Sequence, residues 1–458
     1  MLRGYDPEAF RREAHAVVDL LADHLARLGT TDGEAVVPWK EPSAQVAAWQ
    51  SDFEGGADAQ ALFARVVAES THLHHPGFVG HQVTAPLPLA ALASFVSGFL
   101  NNGAAVYEMG PVSSGMERVL ARFLTARLGY GPGADAVFTS GGSAGNLTAL
   151  LAARERTAAR LGGDRFTGAV LACEEAHYST ARAVRVMGWG DDGVVTVPAD
   201  ERFKLRADAL ADAFARAEAA GRTVVAVVAS ACSTSTGAFD PLHAVADFCA
   251  ERGVWMHVDG AHGASFVLSP KHRALVDGIA RADSVVWDAH KMMLCPALVT
   301  AVLFKDGRDS FTAFQGTKAA YLLDAQAAAT DSAVRTLECT KGMLVLGLYA
   351  ALAVHGEDTI ARYLDDVVDR ARDFAALLRR TPGFEVAIEP ECNIVCFRYG
   401  EGDDAQERIR RAVLEDGRFY VVKTRLRGRT FLRTTIINPR TSSADLDRLV
   451  ATIRDLAG

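Results

Sequence analysis

The run Val224-Val225-Ala226-Val227-Val228 constrains this chain more than any other stretch of it. Five β-prone apolar residues without polar alternation suit a strand buried on both faces, as in a parallel sheet covered by helices. From about residue 75 to 310 the pattern repeats. Strand candidates lie at 134–139, 168–173, 224–230, 254–258, 284–287 and 298–304, and helical patterns at 114–127, 146–161, 206–219 and 241–252. That alternation predicts an α/β domain with a doubly wound, mostly parallel sheet. After about 345 come a helix at 359–380, strands near 384–398 and 431–437, and a last helix at 443–456. These predict a second, smaller α+β domain. Residues 7–28 place Phe10, Val17, Leu21, Leu25 and Leu28 near helical spacing, an amphipathic helix that needs a partner surface. Residues 30–60, rich in Gly, Pro and acids, read as an irregular connector. The expected organisation is a helical segment over 1–70, a large domain over 71–345 and a small one over 346–458.

Composition removes several classes of function. The net charge of -8 argues against a nucleic-acid partner, which would want a basic face. No apolar run reaches the roughly 20 residues of a membrane span. The first dozen residues carry charges of both signs and no apolar core, so they do not read as a signal peptide. The seven cysteines are scattered and none forms a Cys-x-x-Cys pair, so neither a disulfide framework nor a metal site is expected. The expectation is a soluble, reduced, cytoplasmic protein.

In a doubly wound sheet ligands sit outside the carboxyl ends of the strands, so the loops there carry the chemistry. After 134–139 comes Ser140-Gly141-Gly142-Ser143-Ala144-Gly145-Asn146 and then a helical run. The glycines allow a tight turn, and the helix start offers free N–H groups to an anion. The spacing is neither Gly-x-x-x-x-Gly-Lys-Ser/Thr nor Gly-x-Gly-x-x-Gly, so one phosphate fits better than a nucleotide; an ordinary strand-to-helix turn fits equally. His177, after 168–173, could stack on a flat ring or cap the next helix. The hydroxyl-rich loop Ser233-Thr234-Ser235-Thr236 reads, alone, as polar surface. Asp259 ends the strand 254–258 among small residues, where a buried carboxylate wants a cation, unless it merely caps a turn. Lys291, in "SVVWDAHKMMLCP" at 284–296, is an ammonium between apolar flanks. Its stem could pack while its head snorkels outwards.

One explanation serves all of these. A phosphate cradle, a stacking histidine, a carboxylate for a protonated ring nitrogen and a lysine amine for an aldehyde are the demands of pyridoxal 5'-phosphate.

The chain resembles the group II pyridoxal-phosphate-dependent amino acid decarboxylases, a family that includes glutamate, cysteine sulfinate, diaminobutyrate and aromatic amino acid decarboxylases. "HKMM" at 290–293, "HVDGAHG" at 257–263, "EEAHYS" at 174–179 and "FTSGGSAGNLTAL" at 138–150 carry the likeness. So do "HHPGFVGH" at 74–81, "YEMGPV" at 107–112, "EPECNIVCF" at 389–397 and "LRTTIINPRT" at 432–441. The resemblance implies the PLP-dependent transferase fold, aspartate aminotransferase-like and of fold type I. It implies that Gly142, Ser143 and His290 hold the phosphate and that His177 stacks on the ring. Thr234 would sit near the ring oxygen, Asp259 would pair with the pyridine nitrogen, and Ala261 would pack on the ring. Lys291 would carry the cofactor, with Lys291, His177 and Asp259 as the catalytic set. Arg433 would bind a substrate carboxylate, and His81 would lie at the substrate's other end. A homodimer with sites at the subunit interface, the 1–70 segment packing across it, is also implied.

Two departures stand out. Relatives have Asn-Pro where this chain has Asp288-Ala289, and an acid there would repel a phosphate. The family's mobile loop carries a proton-donating tyrosine, but residues 322–342 contain none, and Tyr321 precedes them. The expected activity is decarboxylation of an acidic or short polar amino acid such as glutamate, aspartate, cysteine sulfinate or diaminobutyrate. Aromatic substrates, or an aldehyde-forming or transaminating outcome, are the alternatives.

Overall fold

The structure is a computed structural model and describes residues 5–29, 33–56, 58–314 and 330–458. The chain divides into two compact units. One comprises Gln82–Asp369 and Pro390–Asn393, the other Met1–His81, Arg370–Glu389 and Ile394–Gly458.

The larger unit is built on seven strands: β1 (Asp135–Thr139), β2 (Gly168–Cys173), β3 (Val194–Val197), β4 (Thr223–Ser230), β5 (Trp255–Asp259), β6 (Ser284–Asp288) and β7 (Thr300–Phe304). Their order is β1-β7-β6-β5-β4-β2-β3. β7 runs antiparallel to both neighbours and the other pairings are parallel. Every residue of β1, β2, β5, β6 and β7 is buried, which is why unbroken apolar runs could be read as strands. The register sets Ser230 beside Asp259, and Asp288 beside Thr300, which in turn pairs with Thr139. The ends of β1, β4, β5 and β6 therefore share one edge.

The helix Gly142–Leu161 follows β1 and lies on the sheet, with Ala149, Leu150, Ala152 and Ala153 in a core with Val170, Val225, Val286 and Val302. Gly145 makes the close approach possible. A Cβ there would stand 3.1 Å from methyls of Thr300 and Val286 and 3.2 Å from one of Val302. The first turn of the helix is thereby pinned over β6 and β7.

The smaller unit carries an antiparallel sheet of β8 (Phe384–Val386), β9 (Ile394–Tyr399), β10 (Val422–Leu426) and β11 (Arg429–Thr435), ordered β10-β11-β9-β8. Phe374, Phe397, Leu432, Leu449 and Ile453 share its core. The connector expected over 30–60 is instead partly helical, with helices at Pro42–Gly55 and Ala59–Glu69. Pro42 occupies the first turn, where a missing N–H costs nothing. The N-terminal helix Pro7–Arg27 forms as expected, capped by Asp6, and has no buried residue. No helix among the described residues is long and apolar enough to cross a membrane.

Candidate active site

A cavity of about 270 Å³ opens at the carboxyl edge of the large sheet. Its lining brings together Gly142, Ser143, His177, Thr234, Asp259, Ala261, His290 and Lys291, all eight residues expected to touch a cofactor. They arrive from the ends of five strands, β1, β2, β4, β5 and β6, as an open α/β sheet dictates.

The glycine corner is needed on two counts. Gly141 has φ of 126°, a region that favours glycine. A Cβ on Gly142 would meet the Asp288 carboxylate at 3.0 Å. Beyond the corner, Gly142 and Ser143 open the helix, so backbone N–H groups without intrahelical partners border the cavity.

Below the cavity runs a hydrogen-bond chain whose direction can be worked out. Trp255 Nε1 donates to Ser284 Oγ at 2.8 Å, and that oxygen also lies 2.8 Å from His257 Nδ1. Because Asn146 turns its amide nitrogen to Asp259, its Oδ1 faces His257 Nε2 at 3.0 Å as an acceptor, so a neutral His257 carries its proton on Nε2 and Nδ1 accepts from Ser284. The Asn146 amide nitrogen donates to Asp259 Oδ2 and Ser179 Oγ, both at 2.8 Å. The Ser179 N–H donates to His177 Nδ1 at 3.3 Å, which makes that nitrogen an acceptor, and the Ser179 hydroxyl donates to it at 2.8 Å. The proton of a neutral His177 is thus left on Nε2. Asp259 receives a second bond from the Ala261 N–H at 3.2 Å. Burial pushes His257 down to about 4, in keeping with its neutral place in the chain. Burial also lowers His177; Asp259 opposes this and the Lys291 charge adds to it.

Asp288, only 1 % exposed, faces Lys291 Nζ at 3.2 Å and His290 Nε2 at 3.5 Å, and accepts from Thr300 Oγ1 at 2.5 Å. His290 Nδ1 lies 2.9 Å from the Val299 carbonyl.

Neither Asn146 nor His257 was singled out from the sequence. A signal existed for His257, which is two residues from Asp259 on one strand and so shares its face. Asn146 sits in the Gly-rich segment with nothing to mark it. His81 and Arg433 belong to the smaller unit. The His81 ring lies 5.6 Å from that of Tyr420, and burial, then the Arg433 charge, holds its imidazole below the ordinary value. Arg433 is buried on β11. Tyr321 lies outside the described residues.

The lining fits pyridoxal phosphate. The Gly141-Gly142 corner keeps a helix start open to the cavity, and a lysine, a carboxylate and a histidine of fixed tautomer border the same space. Fold and lining together define a PLP enzyme of fold type I. The profile of the pyridoxal-dependent decarboxylase conserved domain matches residues 59–400, and the chain belongs to that family. Human cysteine sulfinic acid decarboxylase is 30% identical, over 97% of this chain and 96% of its own. An L-aspartate decarboxylase from Metarhizium robertsii is 31% identical over 74% of this chain and 70% of its own. The crystal structure of mouse CSAD matches with a TM-score of 0.91 at 27% identity, covering 98% of this chain and 99% of that one. The protein is therefore a carboxy-lyase that removes carbon dioxide from an amino acid with pyridoxal phosphate as cofactor.

Proposed function

We propose that the substrate is an acidic or short polar L-amino acid, and that Lys291, His177 and Asp259 are the catalytic residues. The observation that carries the assignment is that these three side chains line one cavity beside a helix start suited to a phosphate. The names of two relatives, acting on cysteine sulfinate and aspartate, support the substrate class.

When bound, the cofactor supplies an aldehyde for an amine and a protonated ring that accepts the electron pair left as carbon dioxide departs. The chain's own residues do the rest. Gly142 and Ser143 offer N–H groups, and Ser143 a hydroxyl, to the phosphate, with His290 beside them. Lys291 supplies the amine. Asp259 keeps a proton on the ring nitrogen, and Asn146 and the Ala261 N–H hold its two oxygens in place. His177 would stack on the ring with its Nε2 proton available, Ala261 would pack on the ring, and Thr234 would sit near the ring oxygen. Arg433 takes the α-carboxylate and His81 the substrate's far end.

The unit that works in the cell is a cytoplasmic homodimer on this reading, with 71–345 as the cofactor-binding domain, 346–458 as the small domain and 1–70 as packing segment. Exposed apolar side chains support the dimer. Phe10, Val18 and Leu21 project from Pro7–Arg27, and Leu92, Phe95, Val96 and Phe99 from Pro88–Leu100. Seven free thiols suit a reducing compartment.

A second reading rests on the absence of tyrosine from 322–342: protonation at Cα is loosely controlled and part of the product is aldehyde. One set of assays separates these readings. Carbon dioxide release is screened over the twenty amino acids, diaminobutyrate and cysteine sulfinate, with amine, aldehyde and ammonia counted. Equal amine and carbon dioxide from an acidic substrate is expected; preference for aromatic substrates removes the substrate proposal. Borohydride should fix the cofactor on Lys291, and label on another lysine would overturn the site.

A further inference from the structure

Three buried side chains beside the cavity have no part in the scheme above. Cys232 and His262 line the cavity, and Cys392 reaches them from the segment Pro390–Asn393 of the same unit. Cys232 and Cys392, 160 residues apart in sequence, hold their sulfurs 3.7 Å from each other. A ring nitrogen of His262 lies within 4.8 Å of both. Two thiolates bound to one tetrahedral zinc ion at about 2.3 Å stand about 3.8 Å apart. The observed spacing matches that pair, whereas a disulfide would need roughly 2 Å.

The histidine is prepared in the same sense. Its Nε2 lies 2.7 Å from Asn393 Oδ1, so that N–H donates to the amide and Nδ1 keeps the lone pair. The amide's orientation is fixed independently, because Asn393 Nδ2 lies 3.6 Å from Met292 Sδ as donor. An imidazole whose second nitrogen is held by a carbonyl is the usual outer arrangement of a metal-binding histidine. The segment bearing Cys392 is anchored as well. Glu391 pairs with Arg202 at 2.9 Å and Lys204 at 2.6 Å and accepts from the Phe239 N–H at 3.1 Å. Two thiolates would cancel the charge of a divalent ion, so no net charge enters a wall where Cys392 is 0% and His262 2% exposed.

We propose that Cys232, Cys392 and His262 form a site for one soft divalent cation of the zinc type in the wall of the cofactor cavity. Binding displaces the two thiol protons to solvent and forms two metal–sulfur bonds and one metal–nitrogen bond, with no change of oxidation state. The fourth position is filled from the cavity side. Such an ion ties the loop after β4 to the Pro390–Asn393 segment.

The test titrates reduced holoenzyme with Co2+, whose tetrahedral d–d bands lie at longer wavelength than cofactor absorption. One Co2+ per chain is expected, with sulfur-to-cobalt charge transfer and displacement by one equivalent of Zn2+. Cys392→Ser should weaken binding by at least about a hundredfold and alter the charge-transfer band. Cys339→Ser, at the exposed thiol, should change neither. Asn393→Ala provides a milder variant, expected to bind about ten- to a hundredfold more weakly while keeping the sulfur bands. Wild-type protein without a sulfur-bound cobalt spectrum, or an unchanged spectrum in Cys392→Ser, overturns the site; so does unchanged affinity in Asn393→Ala.

Discussion

β5 and β6 are neighbours, each ends in an aspartate, and both aspartates line the cavity. They are held in opposite ways. Asp259 is grasped by neutral donors, the Asn146 amide and the Ala261 N–H. Asp288 faces the Lys291 ammonium and takes a hydroxyl from Thr300. A carboxylate oriented by neutral groups keeps its charge for a ligand, while one paired with a cation has largely spent it. The difference supports the proposed division of labour, in which Asp259 serves the ring nitrogen and Asp288 the lysine. It also yields tests that strike the two ends unequally.

The largest effect is expected in the chain beneath Asp259. His257 is held down to about 4 by burial, against 6.5 for an unburied imidazole. The folded state therefore binds fewer protons than the unfolded state between those values, and stability rises with pH across them. The contribution is complete above about 6.5 and is lost as pH falls towards 4, by about 3 kcal/mol in all. His75, in the smaller unit, is also lowered to about 4 and acts with the same sign, so the wild type alone is ambiguous. Denaturant unfolding of wild type and His257→Gln at pH 7 and pH 4 isolates the term. The variant should lose about 3 kcal/mol less than the wild type over that interval. Equal losses would mean that this histidine does not titrate with unfolding.

Next in size is Asp259→Ala. Without the carboxylate the ring nitrogen loses its proton and the developing carbanion its stabilisation, so turnover should fall on the order of a hundredfold or more. Cofactor absorbance checks that the site is still filled. Near-normal turnover would make Asp259 a structural residue and erase the contrast with Asp288.

The reach of the sequence follows the same physics. β2, β4, β5 and β6 were legible because strands buried on both faces leave unbroken apolar runs. β3 was missed, being a half-buried edge strand of four residues. β10 was missed too, because Val422-Lys423-Thr424-Arg425-Leu426 exposes its lysine and arginine. The helix Pro42–Gly55 has no buried residue, so no apolar stripe announced it. Lys291, His177 and Asp259, which share one cavity, could be singled out as candidates because each closes or follows a strand, where position alone suggests a site. Asn146 and the Cys232–His262–Cys392 cluster depend on which distant residues meet, and no local pattern carries that.

The smallest effect is expected at Asp288, and its sign is the informative part. A Cβ on Gly142 would lie 3.0 Å from one Asp288 oxygen, so this carboxylate borders the proposed phosphate cradle. Left alone it would repel a phosphate strongly; paired with Lys291 at 3.2 Å, it presents a dipole rather than a net charge. Asp288→Asn can keep the Thr300 hydrogen bond through the amide oxygen while removing the negative charge. A residual repulsion of about 1 kcal/mol would correspond to roughly fivefold in affinity. Titration of the apoenzyme should therefore show cofactor binding tightened by a few-fold in Asp288→Asn, with turnover changed much less than in Asp259→Ala. If binding instead weakens more than about tenfold, the main task of Asp288 is to aim the Lys291 amine, and the repulsion expected from its position next to the phosphate loop is the lesser force.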